Sequence, residues 1–406
     1  MSNINGLIRK MCPNGVKYKK LFECCNFQNG FAFKSNLFRD DGEILLRITN
    51  ICNNKIDLND IKYISISDYK EELDKYIVKE DEIVIAMSGA TTGKIGINKT
   101  NRNVYLNQRV GKITPMNNNL NNHFLYHYLL SKVSYFYQLA GGGAQPNLSA
   151  DSIKNTLIPV PPIKVQEEIV KILDKFSNLE EELEEELEER KKQYEFWREK
   201  LLNVKDSRKK VRFGEIANIS RGASPRPIKN FITDEEDGIN WIKIGDINPN
   251  DKYIISTKEK ITLEGATKSK MIKPGDFILS NSMSFGRAYI SKINGCIHDG
   301  WLSISKFENT FMPDFLYHLL SSKYIQNIMK QKASIGTVQN LNADIVKSIE
   351  LPLYTIEQQK RIVGVLDKFE KLTNDLTDGL PAEIELRKKQ YEYYRNELLN
   401  FKEVIA

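Results

Sequence analysis

The spacing of hydrophobic positions changes character twice along this chain. From about Gln166, apolar residues fall at Ile169, Ile172, Phe176, Leu179, Leu183, Leu187, Tyr194, Trp197 and Leu201. Steps of three and four predominate, which is the seam of an amphipathic helix or a coiled coil. Between Glu180 and Glu189 nearly every residue is Glu or Leu, with no helix breaker. One helix from Gln166 to Lys205 would be about 55–60 Å long at 1.5 Å per residue. A second seam occupies Ile362, Phe369, Leu372, Leu376, Tyr391, Tyr394 and Leu398, interrupted by Asp378-Gly379-Leu380-Pro381. Gly and Pro there predict a stop or a kink. The remaining stretches read differently. Short β-rich runs lie at Ile44–Ile48, Ile83–Ala86 and Lys94–Ile97, and again at Ile239–Ile244, Phe277–Leu279 and Ala288–Ile290, punctuated by Gly and Asn. Short helices are expected around Asn122–Lys132 and Asp314–Lys323. The pattern predicts α+β globular segments alternating with long helices.

The alternation is a duplication. Arg190-Lys191-Lys192-Gln193-Tyr194-Glu195 returns as Arg387-Lys388-Lys389-Gln390-Tyr391-Glu392, and Leu173-Asp174-Lys175-Phe176 as Leu366-Asp367-Lys368-Phe369. Phe124-Leu125-Tyr126-His127 returns as Phe315-Leu316-Tyr317-His318, and Glu23 and Gly30 match Glu215 and Gly222. Most matches are offset by 191 to 193 positions and the last by 197, so the second copy gains four residues in its helical part. Ordered matches along a whole chain mark an internal repeat. The boundaries read as 1–157, a first globular domain; 158–205, a first spacer helix; 206–348, a second globular domain; and 349–406, a second spacer helix. A helix this polar cannot bury its seam alone. The two spacer helices are expected to pack as an antiparallel coiled coil about a pseudo-twofold axis, and the seams of other chains are the alternative partner.

Charge follows the same division. The first globular stretch carries 20 Lys/Arg against 14 Asp/Glu, and the second 21 against 15, so each is +6. The first helical stretch carries 9 against 13 and the second 9 against 11. Basic globular parts suit a polyanion, nucleic acid being the commonest. No apolar run reaches the roughly 20 residues of a membrane span, and the first ten residues lack a signal-peptide core, so a cytoplasmic protein is expected. The five cysteines have no disulfide or zinc spacing.

Few strings carry chemistry. Gly89-Ala90-Thr91-Thr92-Gly93-Lys94 resembles a phosphate loop, but has three residues between its glycines and Ile95 after the Lys. It reads instead as a turn presenting Lys94, as a turn presents Arg287 in the other half. Arg221, Arg226 and Lys229 share a Pro-broken loop, Lys268 and Lys270 another, and Arg102 and Arg109 flank an Asn-rich stretch. These nine cations are the candidates for phosphate or base-edge contacts, the plain alternative for each being a solvated surface charge. His123 and His127 have the spacing of a helical metal site, yet no nearby carboxylate or Cys completes one. Because His127 repeats as His318, a packing role fits better, and no metal site is expected. Tyr194, Trp197, Tyr391 and Tyr394 form an aromatic stripe, read either as coiled-coil core or as a docking surface for a partner subunit. Asn248-Pro249-Asn250 does not fit the Asn/Asp-Pro-Pro-aromatic string of an amino-methyltransferase, and neither a dinucleotide fingerprint nor a nuclease carboxylate cluster stands out.

The layout of variable domain, helix, variable domain, helix resembles the DNA-specificity subunit of Type I restriction–modification systems. The carriers are Glu215 with Gly222, Trp241 to Asp246, Gly275-Asp276, Gly286-Arg287, Gln339-Asn340-Leu341 and, above all, Gly379 to Arg395 with its Lys-Lys-Gln-Tyr-Glu-Tyr-Tyr core. The first half departs from the pattern where Asp81-Glu82 stands in place of Gly275-Asp276. The resemblance implies two target recognition domains, each reading one half of a split double-stranded DNA site. It implies no catalytic centre and no cofactor in this chain. Two modification subunits, carrying S-adenosylmethionine and methylating adenine, would dock on it, and restriction subunits could join. Against this stand two other expectations: a coiled-coil scaffold with two protein-binding domains, and an enzyme acting alone.

Overall fold

The computed structural model describes residues 2–141, 146–202, 209–248, 251–281, 286–333 and 341–404. Two compact units emerge, and the division does not follow the order of the chain. The first unit combines Met1–Glu182 with Glu385–Ala406; the second is Leu183–Ile384. Each thus contains one globular domain, the helical start of the segment that follows it, and a helical piece from the other copy.

In the first unit, helices α1 (Ser2–Met11), α2 (Asn122–Leu130), α3 (Val133–Leu139) and α4 (Ala150–Lys154) accompany two sheets. The long helix α5 spans Ile163–Leu202 without a break, close to the predicted Gln166–Lys205; residues 203–205 lie outside the described set. The second domain carries α6 (Phe213–Ile216), α7 (Leu263–Thr267), α8 (Pro313–Leu320), α9 (Lys323–Ala333) and α10 (Ala343–Lys347). The second helical segment is α11 (Ile356–Asn374) and α12 (Leu380–Leu398). The expected break is there: Asp375 leaves the helical region at φ −71° and ψ 120°, and Pro381 falls in the first turn of α12, where its missing N–H costs nothing.

Both domains are built from two mixed sheets. In the first, a four-stranded sheet orders Lys62–Ile64, Glu43–Leu46, Val104–Leu106 and Ile77–Val78. A six-stranded sheet orders Cys25–Asn29, Val110–Pro115, Ile83–Ala86, Ile95–Ile97, Lys55–Ile56 and Ile51–Cys52. The second domain has a five-stranded sheet of Ile232–Thr233, Glu259–Ile261, Ile239–Ile242, Gly295–Ile297 and Lys270–Ile272. Its other sheet orders Asn218–Arg221, Trp301–Ser305, Phe277–Ser280, Ala288–Ser291 and Tyr253–Ile254. Each domain closes on itself with a short antiparallel ribbon just before its helix: Tyr18–Lys20 with Leu157–Pro159, and Lys210–Arg212 with Glu350–Pro352. The strands predicted from sequence are all present with ends shifted by one or two residues. The pairing of two- and three-residue strands was beyond local pattern.

The helical segments are antiparallel within each unit. In the first, Phe176 of α5 stacks on Tyr394 of α12 at 5.0 Å, and Glu180 meets Lys388 at 3.6 Å. In the second, Tyr194 of α5 stacks on Phe369 of α11 at 6.3 Å, and the Tyr354 hydroxyl donates to the Leu202 carbonyl. The seam is therefore core in each unit: Val165, Ile169 and Leu173 join the first hydrophobic cluster with Tyr391 and Leu398, and Tyr194 and Leu202 join the second with Ile362 and Leu366.

One repeated glycine is required by close backbone approach. Gly30 N–H donates to the Val110 carbonyl and Gly222 N–H to that of Trp301. A Cβ on Gly222 would run into the backbone carbonyl oxygen of His298, which has no freedom to move aside. Gly222→Ala is expected to destabilise the second unit by about 1–3 kcal/mol, as overpacking does. Gly245→Ala, whose Cβ meets nothing within 4 Å, should stay within about 0.5 kcal/mol of wild type. Denaturant melts of the two variants measure the difference.

Candidate nucleic-acid interface

The repeated sequence motifs converge on the junction between each domain and its helices. His127 on α2 is fully buried. Its Nε2 lies 2.8 Å from Asp174 Oδ1 on α5, and its Nδ1 lies 2.8 Å from the Tyr391 hydroxyl on α12. A carboxylate only accepts, so Nε2–H donates to Asp174 and Nδ1 accepts from the Tyr391 O–H. The second unit repeats the relay. Buried His318 on α8 places Nε2 2.8 Å from Asp367 on α11, and Nδ1 3.3 Å from the Tyr194 hydroxyl on α5. The Phe-Leu-Tyr-His, Leu-Asp-Lys-Phe and Lys-Lys-Gln-Tyr-Glu strings thus supply the three members of one hydrogen-bonded chain. A second repeated anchor sits beside it. Gln166 accepts from the Asn121 N–H and donates to the Asn119 and Pro161 carbonyls; Gln359 accepts from Met312 and donates to Thr310 and Tyr354.

Electrostatics agree with this arrangement. Burial pushes His127 below its ordinary value against the pull of Asp174, so the imidazole is neutral. Burial raises Tyr391 and Tyr194 to about 12 each, keeping both hydroxyls as donors. Burial opposes ionisation of Asp174, but hydrogen bonds from His123 and His127 outweigh it and hold the carboxyl well below the usual range. His123, far from lacking a carboxylate, lies 3.1 Å from both Asp174 and Asp81. The hydrogen bond to Asp174 drives its pKa up to about 9 despite burial. It is an ion-pair partner of both carboxylates. In the second unit Lys252 takes that part: its ammonium lies 2.9 Å from Asp314 and 3.2 Å from Asp367 and Glu370, and these carboxylates hold it charged against burial. The donor atoms of His318, Asp367 and Glu370 lie within 4.8 Å of one another, a spacing that would suit a metal ion. The Lys252 ammonium already lies against both carboxylates of that set.

Of the nine candidate cations, five are brought together. Arg221 Nε donates to the Asp299 carbonyl, Arg226 lies 3.6 Å from the Asp299 carboxylate, and Ser224 donates to the same side chain. Lys229 lies on this loop, and Ser269, between Lys268 and Lys270, ties the neighbouring loop to it by donating to the Ala223 carbonyl. Lys268 sits 4.5 Å over the Phe231 ring and pairs with Glu264. In the first domain Arg109 occupies the matching turn, directly before Val110, whose carbonyl receives the Gly30 N–H. Lys94 does not join such a cluster. It lines a cavity of 320 Å³ with Asn53, Asn54, Glu180, Lys388, Tyr391 and Arg395, on the helix side of its domain. Arg287 follows Gly286, which backs onto Gln326 of α9; residues 282–285 before it lie outside the described set. Arg102 is exposed beside Lys99, which pairs with Glu181 of α5. The Gly89–Thr91 turn is structural: the Thr92 hydroxyl donates to the Gly89 carbonyl at 2.7 Å, and Ile95 stands where a phosphate loop would carry its metal-directed hydroxyl.

Sequence reasoning missed Lys243, Trp241, His298 and Glu259, which line a cavity of 540 Å³ with Arg226 and Lys229. The aromatic stripe also divides. Tyr194 and Tyr391 are buried and engaged with the histidines, so neither presents an outward docking face. Tyr394 is half-buried on Phe176. Trp197 is 36% exposed and its neighbour Phe196 59%; Tyr393, which was not singled out, is 61% exposed. All five cysteines are free thiols.

Two homologous basic domains, each anchored to antiparallel helices by the same relay, define a duplicated architecture whose charge suits a polyanion. The family described as Type I restriction modification DNA specificity domain matches residues 13–189 and again 206–386. The chain belongs to that family, the specificity subunits of type I restriction–modification systems, whose role is DNA recognition. It is 34% identical over 361 residues to a protein of Haemophilus influenzae named as a type I restriction enzyme specificity subunit, covering 84% of this chain and 88% of that one. The EcoR124I/EcoR124II specificity subunit of Escherichia coli is 34% identical over 68% of this chain and 70% of its own length. A crystal structure of a type I S subunit from M. genitalium shares the fold, with a TM-score of 0.55 at 16% identity over 95% of this chain and 96% of that one. So does a chain from a study of type I restriction–modification complex assembly, with a TM-score of 0.60 at 18% identity over 96% and 98%. No helix among the described residues is long and apolar enough to cross a membrane.

The His123 bridge makes the first unit sensitive to alkali. A group whose pKa rises on folding stabilises fully below its unfolded value, about 6.5 for His. That contribution is lost as pH climbs through the folded value of about 9. Wild type is expected to melt higher than His123→Gln near neutral pH, with the gap closing above that folded value. A gap that persists unchanged at high pH would show that His123 contributes by packing alone.

Proposed function

We propose that this chain reads a bipartite double-stranded DNA site, one half-site per globular domain, and carries no catalytic centre of its own. The observation that carries the reading is the division between what the two domains share and what they do not. The closing ribbons recur at the same place and the Tyr–His–Asp anchors repeat residue for residue, while the loops bearing Arg221, Arg226 and Lys229 or Gly30 to Lys34 diverge. Two frameworks holding different loops are what a reader of two different half-sites needs. The +6 charge of each domain supplies the sequence-independent attraction to phosphate, and base-edge contacts from loops supply the specificity.

The helical segments dock two modification subunits and set the separation of the half-sites. Exposed Phe196, Trp197 and Tyr393 are the side chains suited to such a surface, since aromatics are enriched at interface cores. S-adenosylmethionine and the methyl transfer to adenine belong to those subunits, restriction subunits join the same assembly, and the complex works in the cytoplasm. A scaffold with two protein-binding domains would not require two basic readers that differ chiefly in their loops.

Exchanging residues 1–157 for the corresponding part of another specificity subunit is expected to change one half of the methylated site and leave the other intact. Mapping methylated adenines across a host genome, before and after the exchange, reads this directly. A change in both halves, or in neither, would sink the two-reader reading.

A further inference from the structure

The two domains differ in how one face of their framework is filled. Pairing register puts them in correspondence. Phe31 N–H donates to the Leu106 carbonyl where Ala223 N–H donates to that of Ile297. Tyr105 pairs in parallel with Leu45 where Cys296 pairs with Trp241. In the first domain the space over these strands is filled. Phe31, Phe33, Tyr69 and Tyr105 pack edge to face and Tyr76 lies tilted on Phe31, with ring centroids 4.9 to 6.4 Å apart. In the second domain Ala223 and Pro225 stand where Phe31 and Phe33 stand, and the space is the 540 Å³ cavity. That volume lies inside the range of roughly 300–1,000 Å³ typical of sites that hold a whole small ligand.

The lining has a definite chemistry. Trp241 is buried, with the His298 ring at 6.3 Å. Nδ1 of His298 accepts from the Gly300 N–H at 2.7 Å, which fixes the ring as a wall of the cavity. On the wall, Lys243 and Glu259 form an ion pair and each remains more than a third exposed, offering a donor and an acceptor side by side. Arg226 and Lys229 stand at the rim, both exposed. An aromatic back wall, a donor–acceptor pair and two rim cations match a nucleotide: base edge inside, phosphate at the mouth.

We propose that the cavity accepts one nucleotide of the DNA, making Lys243 and Glu259 specificity determinants of the second half-site, with Arg226 and Lys229 holding the adjacent phosphate. The first domain, its equivalent space filled by aromatics, reads without such a pocket. This rests on the DNA-reading function proposed above, and one experiment separates the two. The full chain with its modification subunits is bound to a randomised duplex library at several salt concentrations. Three forms are compared: wild type, Lys229→Ala with Arg226→Ala, and Lys243→Met with Glu259→Met, each checked for an unchanged melting temperature.

The rim variant is expected to lose affinity evenly across sequences and to lower the slope of log affinity against log salt by about 2. The wall variant is expected to lose roughly five- to 100-fold discrimination at a single base position, in the half-site read by the second domain and not in the other. If wild type discriminates but both folded variants keep its slope and its preferences, the pocket is not a reader, while the chain remains one. If wild type itself shows no sequence preference, the DNA-reading function fails and the pocket with it. Should either double variant melt early, Lys229→Ala alone, an exposed substitution, carries the salt-slope test with an expected change of about 1.

Discussion

A buried imidazole with no access to water needs a hydrogen-bond partner on each ring nitrogen. His127 and His318 are held to that requirement, and each finds its two partners on two different helices. An unpaired polar group at such depth costs about 1–3 kcal/mol. Three elements are therefore fixed relative to one another by one side chain: the domain helix that carries the His, the helix that follows the domain and carries the Asp, and a helical segment of the other copy that carries the Tyr. The arrangement also explains why each compact unit borrows a helical piece from elsewhere in the chain. Without Tyr391 or Tyr194 the relay would end on an unsatisfied Nδ1.

The relay imposes a second requirement, because its Asp is charged in a half-buried place. The two units meet this with different cations. In the first, His123 bridges Asp174 and Asp81; in the second, Lys252 joins Asp314, Asp367 and Glu370. Asp314 stands one repeat offset from His123, so a cation in one copy has become an anion in the other, and an ammonium from another strand neutralises the difference. Charge balance around the Asp is kept even though the residues that provide it are not. The imidazole bridge has its pKa raised to about 9 while the ammonium bridge is held charged by three carboxylates, so the two units are expected to respond differently to alkali.

Periodicity and repeat spacing were enough to read the helices, the duplication and the break before Pro381, because each is a local property. The tertiary partners were not. His127 and Tyr391 are 264 residues apart, and nothing in either neighbourhood marks the other. The same gap explains the aromatic stripe. Tyr194 and Trp197 look equivalent by spacing, but the Tyr194 hydroxyl is needed by His318, and Arg198 covers its ring at 4.1 Å. Tyr194 goes inward and Trp197 stays at the surface with Phe196. His123 misled for a related reason: its carboxylates come from Asp81 and Asp174, each more than 40 residues away. Five scattered cations could be chosen from the Pro-broken loop and its neighbour. That two of them, Arg226 and Lys229, line a cavity with Trp241 depended on strands far apart in sequence and on the small side chains at Ala223 and Pro225, which stand where the first half has Phe31 and Phe33.

The separation between anchor and loop has a consequence for how recognition can vary. The relay, the Gln166 and Gln359 clamps and the closing ribbons all lie where the domain meets its helices. The loops around Gly30 and Gly222 instead hang on strand ends whose backbone bonds go to Val110 and Trp301. A side chain at position 31 or 223 can therefore change from Phe to Ala without removing a partner from any buried polar group. Filling or emptying that space carries a cost confined to local packing, whereas a change at His318 would take away the partner of the Tyr194 hydroxyl and leave Asp367 with Lys252 alone. On the reading proposed above, specificity sits in loops that hold no buried polar partner and orientation in the relay that does. A duplicated chain can thus hold two unlike readers on one unchanging frame.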